Sequence, residues 1–442
     1  MSYAQRPIDL IDEAIQEGVD HHTGHLSVED ERLNGRQIRV SGETLTSFAS
    51  CSYLGLELDP RLRQGAVDAV ERYGVQFSCS RAYLSAPGYA ELEALLDRIF
   101  EAHTLVTPNT TLAHMCALPV MIAPEDAVIL DQCAHSSVQM AAGLLRLQGT
   151  KLEMIRNNRI EQLDDTLREL APKHPRVFYL CDGIYSMYGE IAPFQALQWL
   201  LERHPNLHLY VDDAHAMSWT GRHGRGLAAE AFPGHERVTI AVSLNKSFGA
   251  GGGALVFNDR EQHRKVRCAA LPLIFTGPLQ PPLLGAAIAS AHIHLSPEIE
   301  TLQAALRERI ELANRTAREL DLPVVRQDDA PIRFLGVSAK EAMFSIQSAL
   351  ADEGFYLCPA SFPAVGSRQS GARFTLTLHH RPEDIVALLE AAARHLPAAL
   401  EAAGISRADV DRAYGIESRT RGVARPAGRA RLELEHTTGI RE

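Results

Sequence analysis

The chain has 442 residues, of which 45% are hydrophobic and 22% are charged, and its formal net charge at pH 7 is -11. The length exceeds that of one typical domain and the composition is that of an ordinary globular protein, so two packed units or one large domain with appendages are expected. The acidic balance gives no support for a nucleic-acid partner.

Seven cysteines are scattered along the chain, at positions 51, 79, 116, 133, 181, 268 and 358, and none forms a C-x-x-C pair. Their odd number and irregular spacing favour a reduced cytoplasm over a disulfide framework. The first residues contain no apolar stretch of signal-peptide length, and no run of about 18 uncharged apolar residues predicts a membrane span. We therefore expect a cytoplasmic protein.

An N-terminal helix and a short strand pair are predicted within residues 1–55, and from about residue 60 helical patterns alternate with short apolar runs. The predicted helices are 61–73, 90–100, 136–147 and 160–170, and the predicted strands are 103–106, 127–131, 176–182, 208–213, 238–244 and 254–257. Strands that are apolar throughout and separated by helices predict an α/β fold, with a mostly parallel sheet covered on both faces.

A long charged helix, about 297–320, leads into a smaller α+β unit. Its predicted elements are strand 332–338, helix 340–352, strand 372–378 and helix 383–396. We divide the chain into an N-terminal segment 1–55, a large domain 56–300, a small C-terminal domain 301–400 and an extension 401–442. The extension contains the Arg-rich run 419–431, which is typical of a solvated tail, with an anion-binding arm over the active site as the alternative.

The segment after the strand 238–244 contains Lys246, which follows Ser243, Leu244 and Asn245 and precedes a glycine-rich turn. Taken alone, a lysine in such a turn is more often an ordinary surface residue. Schiff-base chemistry requires an amine that can lose its proton, which burial and nearby positive charge promote. Ser243 is positioned to donate to a phosphate, and the glycines permit close approach of the backbone.

The predicted strand 208–213 ends in Asp212 and Asp213, which are followed by Ala214 and His215. A carboxylate at the end of a buried strand is costly unless it meets a charged partner. A protonated pyridine nitrogen is such a partner, and Asp212 would keep that ring an electron sink. His215 would then be within reach of the phenolic oxygen of the ring. The alternative for Asp212 is a purely structural role as a helix N-cap.

Two further polar segments also follow predicted strands, and ligands of open α/β sheets collect at the carboxyl ends of strands. His135 opens the helix 136–147, where it is either a ring that stacks on an aromatic ligand or a plain capping residue. Ser186 lies in a polar turn after the strand 176–182, where it is either a ligand contact or an ordinary turn serine.

The order His135, Ser186, Asp212/His215, Lys246 resembles that of the α-oxoamine synthases, which are fold-type I enzymes dependent on pyridoxal 5'-phosphate (PLP). That family includes 8-amino-7-oxononanoate synthase, 2-amino-3-ketobutyrate CoA ligase, 5-aminolevulinate synthase and serine palmitoyltransferase. The resemblance runs from about Tyr53 to about residue 397 and is most specific in the V-D-D-A-H and S-x-x-K segments. It implies the aspartate aminotransferase-like fold, with PLP in the domain 56–300.

The resemblance also implies a role for each matching catalytic residue. Lys246 would hold PLP as a Schiff base and move the α-proton of the substrate. Asp212 would pair with the pyridine nitrogen, and His215 with the ring oxygen. His135 would stack on the ring and Ser186 would lie near its oxygen.

The residues around the phosphate and the substrate follow from the same resemblance. Asn109, Thr110 and Thr111 resemble the phosphate loop, which Ser243 completes, and Thr276 matches a residue that reaches the phosphate from a second subunit. The implied assembly is a homodimer with its sites at the interface. Arg373 matches the arginine that binds the carboxylate of the amino acid, for which a guanidinium fork is suited; a surface arginine on a strand is the alternative.

The chain departs from the family pattern near the substrate. Cys51 stands where an asparagine is usual, and Arg81 ends a Phe-Ser-Cys-Ser-Arg turn that is glycine-rich in the family. We assign both residues to substrate binding. These departures argue against biotin synthesis, and parts of the chain look closer to autoinducer synthases that make α-hydroxyketone signals, so a role in secondary metabolism or signalling is expected.

The reaction implied is the decarboxylative condensation of an α-amino acid with an acyl thioester, whose carrier is coenzyme A or an acyl carrier protein. An aminotransferase or a carbon–carbon lyase on the same fold is the alternative, and a catalytically silent scaffold is a third. No metal site is expected, because no matched ligand set follows the histidines at 21, 22 and 25.

Overall fold

The computed structural model describes residues 6–416, so the Arg-rich run 419–431 lies outside the described residues. The N-terminal segment contains the predicted helix and strand pair, α1 (Pro7–Asp20), β1 (Gln37–Val40) and β2 (Glu43–Ser47). Strands β1 and β2 are antiparallel, and β2 also pairs in parallel with a short later strand, Phe355–Tyr356.

The large domain alternates helices and strands, as the sequence predicted. Its elements are α2 (Pro60–Tyr73), α3 (Tyr89–Phe100), β3 (His103–Thr107), α4 (Thr110–Met121), β4 (Ala127–Asp131), α5 (Ser136–Leu147), β5 (Lys151–Ile155), α6 (Ile160–Leu170), β6 (Val177–Asp182), α7 (Phe194–Arg203), β7 (Leu207–Asp212), α8 (Gly226–Ala231), β8 (Val238–Ser243), β9 (Gly253–Phe257), α9 (Arg260–Ala269), α10 (Leu271–Ile274), α11 (Pro281–His294) and α12 (Glu298–Glu319).

These strands form one seven-stranded sheet in the order β3-β9-β8-β7-β6-β4-β5. Every pair from β8 to β5 is parallel, whereas β9 is antiparallel to both of its neighbours. The mostly parallel sheet is therefore confirmed. Strand β5 was not predicted because it is an edge strand with exposed Lys151 and Met154, which breaks the apolar run of a buried strand.

Both faces of this sheet are covered. Ala127 and Ile129 of β4 pack in one apolar cluster, whereas Val128 and Leu130 pack in another. Because successive side chains of a strand point to opposite faces, the two clusters are the two helix layers on either side of the sheet. This explains why the strand is apolar throughout.

Helices α2 and α11 pack closely through a pair of glycines. A Cβ added at Gly65 would lie 2.5 Å from the carbonyl oxygen of Gly285, and one added at Gly285 would lie 2.1 Å from that of Gly65. Any larger residue at either position would therefore separate the two helices.

The C-terminal unit is built on a second sheet. Its elements are β10 (Ile332–Ser338), α13 (Lys340–Asp352), β11 (Phe355–Tyr356), β12 (Cys358–Ala360), β13 (Ser370–Thr375), α14 (Pro382–Ala402) and α15 (Arg407–Tyr414). Strand β13 lies between β10 and β12 and is antiparallel to both. This is the smaller α+β unit that the sequence predicted, and the domain boundaries assigned above stay a prediction.

Across residues 6–416, none of the helices combines the length and the apolar character that a membrane crossing requires.

Candidate active site

The site lies where four parallel strands end. Asp131, Asp182, Asp212 and Ser243 are the last residues of β4, β6, β7 and β8, which are neighbours in the sheet. A cavity of about 180 Å³ opens at this edge. It is lined by Asn109, Thr110, Thr111, His135, Ser137, Asp182, Asp212, Ala214, His215, Ser243, Asn245 and Lys246. The four predicted catalytic residues and the predicted phosphate loop therefore share one cavity.

Asp212 is the charged group at the floor of this cavity. Burial alone would raise the pKa of its carboxyl, but His114, Lys246 and His135 outweigh burial and lower that pKa to about 2. The backbone N–H of Ala214 donates to Oδ1 over 3.1 Å, and Nε2 of His114 lies 3.0 Å from Oδ2. Asp212 is thus an ionised carboxylate in a nearly enclosed setting.

Lys246 shares the cavity with this carboxylate and with a second one. Burial lowers the pKa of the Lys246 amine, although the charges of Asp212, Cys51 and Asp182 oppose the change. Burial and the charge of Asp212 raise the pKa of Asp182 well above its usual range. The environment therefore favours an amine that can lose its proton.

His215 is held by a tyrosine from the N-terminal segment. Its Nδ1 lies 2.7 Å from the hydroxyl of Tyr53, and its backbone carbonyl accepts from Nε1 of Trp219 over 2.6 Å. Burial, together with the charge of Lys246, lowers the pKa of His215 well below its usual value. The ring is therefore neutral, and its orientation is determined before any ligand enters.

His135 caps the helix α5 that it precedes. Its Nδ1 accepts from the backbone N–H of Ser137 over 3.3 Å and lies 2.6 Å from the Ser137 hydroxyl. The backbone N–H of His135 donates to Oδ1 of Asp182 over 3.0 Å. The capping alternative is thus realised, and since the residue also lines the cavity, it is compatible with a ring-stacking role.

The other end of the cavity is the start of helix α4. The Oδ1 atom of Asn109 accepts from the backbone N–H of Leu112 over 2.8 Å, which makes Asn109 the N-cap. The first N–H groups of a helix have no partner within the helix, and with the helix dipole they favour an anion. Thr110, Thr111 and the buried Ser243 line the cavity at this end.

Arg373, Ser186 and Cys51 form an adjacent group. Nε of Arg373 donates to the backbone carbonyl of Ser186 over 2.6 Å, and Nη2 donates to Sγ of Cys51 over 3.6 Å. Cys358 is the register partner of Arg373 on strand β12. Ser186 contacts the arginine through its backbone, and the sequence did not predict that arrangement.

Arg81 and Thr276 do not line the cavity. The guanidinium of Arg81 donates to the carbonyl of Val106 over 2.6 Å, pairs with Glu93 at 3.0 Å, and lies 3.8 Å from the centroid of the Tyr89 ring. Thr276 follows helix α10 and is partly exposed. The roles assigned to these two residues stay predictions.

Sequence reasoning missed Asp182 and His114. Asp182 ends its strand as Asp212 does, and that shared position was the available signal. His114 gave no signal, because α4 is apolar on all sides, contains Pro119, and was not predicted as a helix.

The residues of the cavity fit PLP. The ionised Asp212 requires a cation such as a protonated pyridine nitrogen, Lys246 supplies the amine, and the start of α4 with Ser243 suits a phosphate. A Cβ added at Gly253 would lie 2.6 Å from the backbone nitrogen of Thr110, so this helix start packs against a position that only glycine can occupy without a shift.

Known proteins support the same assignment. The family model for aminotransferase class I and II matches residues 46–391. The chain is 30% identical over 360 residues to an 8-amino-7-oxononanoate synthase of Maricaulis maris, which covers 81% of this chain and 88% of the relative. A second 8-amino-7-oxononanoate synthase, from Thermoanaerobacter pseudethanolicus, is 26% identical over 82% of this chain and 90% of its own length.

Solved structures of serine palmitoyltransferase have the same fold. The enzyme of Sphingomonas wittichii superposes with a TM-score of 0.80 at 22% identity, over 89% of this chain and all of the other. That of S. paucimobilis with bound PLP has a TM-score of 0.79 at 23% identity, over 90% of this chain and 98% of the other.

The chain therefore belongs to the aminotransferase class I and II family, the fold-type I PLP-dependent enzymes. Within that family it is an α-oxoamine synthase, a PLP-dependent acyltransferase that condenses an amino acid with an acyl thioester. The resemblance stated from the sequence is confirmed, as is the cofactor that it implied.

Proposed function

We propose that the condensation takes place in the cavity around Lys246, with PLP held covalently at Nζ of this lysine. Asp212 would bind the pyridine nitrogen, His215 the ring oxygen and His135 the ring face, while the start of α4 and Ser243 would bind the phosphate. The observation that carries this proposal is the Lys246 amine, whose pKa is lowered by burial, in one cavity with an ionised aspartate.

When bound, PLP supplies an electron sink that stabilises negative charge at Cα of the amino acid. Lys246 would take the proton from Cα, for which an amine with a lowered pKa is suited. His215 is neutral and bonded to Tyr53, so it can hold a hydrogen bond to the ring oxygen without adding positive charge.

We assign the carboxylate of the amino acid to Arg373. This guanidinium is buried, and its charge lowers the pKa of Lys246. Two of its donors are used by Ser186 and Cys51, and the fork has five. A carboxylate would bind to N–H groups that the contacts with Ser186 and Cys51 do not use. Ser186 and Cys51 would thus orient the arginine.

The overall reaction forms a bond between Cα of the amino acid and the carbonyl carbon of the thioester. The thiol leaves, the carboxylate departs as CO₂, and a proton returns to Cα to give an α-amino ketone. His135 would donate to the carbonyl oxygen or to the departing carboxylate. Coenzyme A and an acyl carrier protein are both chemically suitable thiol carriers.

We also propose that the enzyme is a cytoplasmic homodimer. All seven cysteines are free, which suits a reducing compartment. Large apolar side chains are exposed near Thr276, including Leu271 at 64% and Phe275 at 82%. A second copy that covers them would bring Thr276 of one subunit to the phosphate of the other, as the resemblance implies.

The product is proposed to belong to secondary metabolism or signalling. Cys51 contacts Arg373 at a position where the family pattern has an asparagine, so the group of residues next to the cavity differs from that pattern. The named relatives make 8-amino-7-oxononanoate, and a clear preference for that product would contradict this part of the proposal.

The test is to incubate the purified enzyme with the twenty amino acids and a panel of acyl-coenzyme A thioesters. Equal amounts of free thiol and CO₂ are expected for one pair, with an α-amino ketone detected by mass spectrometry. Lys246→Ala is the control, which should lose both the turnover and the visible absorption of covalently held PLP while remaining folded. An unchanged spectrum would remove Lys246 from its role.

An aminotransferase or a carbon–carbon lyase on this fold would behave differently in the same assay. Conversion of a keto acid into an amino acid without thiol release would indicate transamination. Cleavage of an amino acid in the absence of any thioester would indicate a lyase.

A further inference from the structure

His114 is a fully buried histidine that the proposed mechanism does not yet use. It lies in the second turn of α4, behind the cavity, and is 0% exposed. Its ring reaches two residues of strand β7, Tyr210 and Asp212, which point to the same face of the sheet because they are two positions apart. Nδ1 lies 2.8 Å from the Tyr210 hydroxyl, and Nε2 lies 3.0 Å from Oδ2 of Asp212.

The tyrosine determines where the histidine carries its hydrogen. Burial and the charge of Asp212 raise the pKa of Tyr210 well above its usual value, so the phenol keeps its proton. A phenol that keeps its proton can donate it to Nδ1 of His114, which lies 2.8 Å away. A ring that accepts at Nδ1 carries its hydrogen on Nε2, which lies 3.0 Å from the carboxylate of Asp212.

The result is a carboxylate held on both oxygens by the protein. Oδ1 of Asp212 accepts from the N–H of Ala214, and Oδ2 lies 3.0 Å from Nε2 of His114, a buried nitrogen that has no other partner in residues 6–416. Groups that fix a ligating side chain from behind influence the affinity of a site without touching the ligand. Other titratable groups also act on Asp212, among them Lys246, His135, Asp182, Asp213 and Cys181.

We propose that His114 is a positioning residue that donates from Nε2 to Asp212, and thereby holds this carboxylate for the pyridine nitrogen of PLP. Tyr210 supports it by setting the tautomer. The inference rests on the proposed role of Asp212. It adds two residues behind Asp212: His114 of α4, next to its carboxylate, and Tyr210 of β7, next to His114.

The matched test is the pair His114→Gln and His114→Asn. The amide nitrogen of glutamine reaches about as far as Nε2 of histidine, so His114→Gln keeps a donor to Asp212. The amide of asparagine reaches only the level of Nδ1, so His114→Asn loses that donor while it remains polar. Tyr210→Phe is a third variant that removes only the hydroxyl and frees the tautomer.

The readout is the dissociation constant of PLP, measured by equilibrium dialysis of the full chain, together with the unfolding midpoint of the protein without added PLP. His114→Asn should weaken PLP binding by about 10- to 100-fold, by analogy with second partners of metal ligands. His114→Gln should stay within about threefold of the original protein, and Tyr210→Phe should be intermediate. Wild-type affinity in His114→Asn would overturn the inference.

A double-mutant cycle separates positioning from a merely structural role. In an Asp212→Asn background, His114→Asn should have no further effect on PLP affinity, because its target is gone. If His114→Asn weakened PLP binding equally in the original protein and in the Asp212→Asn background, positioning would be refuted. It would also be refuted if His114→Gln and His114→Asn weakened PLP binding equally and both lowered the unfolding midpoint. If Asp212→Asn left PLP binding intact, the proposed role of Asp212 would fail. If Asp212→Asn weakened PLP binding but the His114 variants did not, only the inference about His114 would fail.

Discussion

At the scale of single residues, the site is organised by charges whose burial is compensated by specific partners. Lys246 and the histidines His114 and His135 lower the pKa of Asp212 against the effect of burial, whereas burial and the charge of Asp212 raise the pKa of Asp182. Lys246 is the reverse case, since burial outweighs the negative charges near it. Two carboxyls with opposed pKa shifts and one amine with a lowered pKa are typical of a site built for proton transfer.

Replacing Arg373 tests the binding of the substrate carboxylate. Burial alone would lower the pKa of Arg373, but Cys51 and Tyr53 raise it, so the guanidinium is charged and available for an anion. Arg373→Ala should weaken amino-acid binding by on the order of 2–5 kcal/mol, measured by spectral titration of the PLP-loaded enzyme. The exposed Arg368 on the preceding loop is a control, and Arg368→Ala should have no effect. Unaltered affinity in Arg373→Ala would remove this residue from the site.

Asp213 should make the stability of the protein depend on pH. Burial raises the pKa of its carboxyl to about 7, and the charge of Asp212 contributes, although the N–H of Ala228 donates to it over 2.9 Å and opposes the rise. Between pH 3.8 and about 7 the unfolded chain ionises this group while the folded chain keeps it neutral, so folding stability falls as pH rises through this window and is level above it.

Asp213→Asn should remove that dependence. The difference in unfolding free energy, variant minus original protein, should become more positive between pH 4 and pH 8, by at most about 4 kcal/mol. Urea unfolding at pH 4, 6 and 8 measures this difference. A difference that stays constant over the three pH values would show that Asp213 has an ordinary pKa.

At the scale of elements, strand β9 supports the start of helix α4. Gly253 begins β9 and is the register partner of Thr107 on one side and Ser243 on the other. Its missing side chain leaves room for the backbone at Asn109 and Thr110, which is the proposed phosphate site. The strand, the helix start and the loop after β8 therefore act as one unit.

Gly253→Ala tests this unit. A Cβ would lie within 3 Å of the backbone of Asn109 and Thr110, so the helix start must shift. We expect a loss of about 1–3 kcal/mol in unfolding free energy and weaker PLP binding. The control is Gly143→Ala on the exposed side of α5, where a Cβ meets nothing within 4 Å. That change should stabilise the protein by about 0.5–1 kcal/mol, and equal effects of the two would contradict the packing argument.

At the scale of the whole molecule, residues 75–84 and 271–275 are distant in the sequence but adjacent in the structure, and both expose large apolar side chains. Ser80 donates from its hydroxyl to the carbonyl of Ile274 over 2.6 Å, which joins residues 75–84 to residues 271–275. Tyr83 is 84% exposed and Phe275 82%. A surface of large apolar side chains of this kind marks a protein–protein contact, which supports the proposed homodimer.

Phe275→Asp should disrupt that dimer. A carboxylate in the centre of an apolar contact must be desolvated without a partner, so the equilibrium should move to the monomer. Sedimentation analysis measures the mass, and PLP affinity should fall with it, since Thr276 of the other subunit is lost. Leu147→Asp is the control at another exposed leucine (86%), and it should leave the dimer intact. A dimeric Phe275→Asp protein would place the contact elsewhere.

The sequence by itself determined the fold class and the centre of the site. Strands β4, β6, β7 and β8 are buried on both faces, so each is readable as an apolar run that ends at a polar residue. Parallel strands end at the same edge of a sheet, so the residues at those ends could be predicted to lie close together. Asp212 and Lys246 are two of these residues. His135 followed from the same reasoning, whereas the phosphate loop was predicted from the family resemblance alone.

Only the tertiary structure decided which partners surround those residues. Edge strand β5 and helix α4 escaped prediction because neither has the period of a half-buried element. The pairing of His114 with Asp212, and that of Arg81 with Glu93 and the carbonyl of Val106, join residues from different elements. The burial and the charge environment of a side chain are set by neighbours from elsewhere in the chain, and no local pattern carries that information.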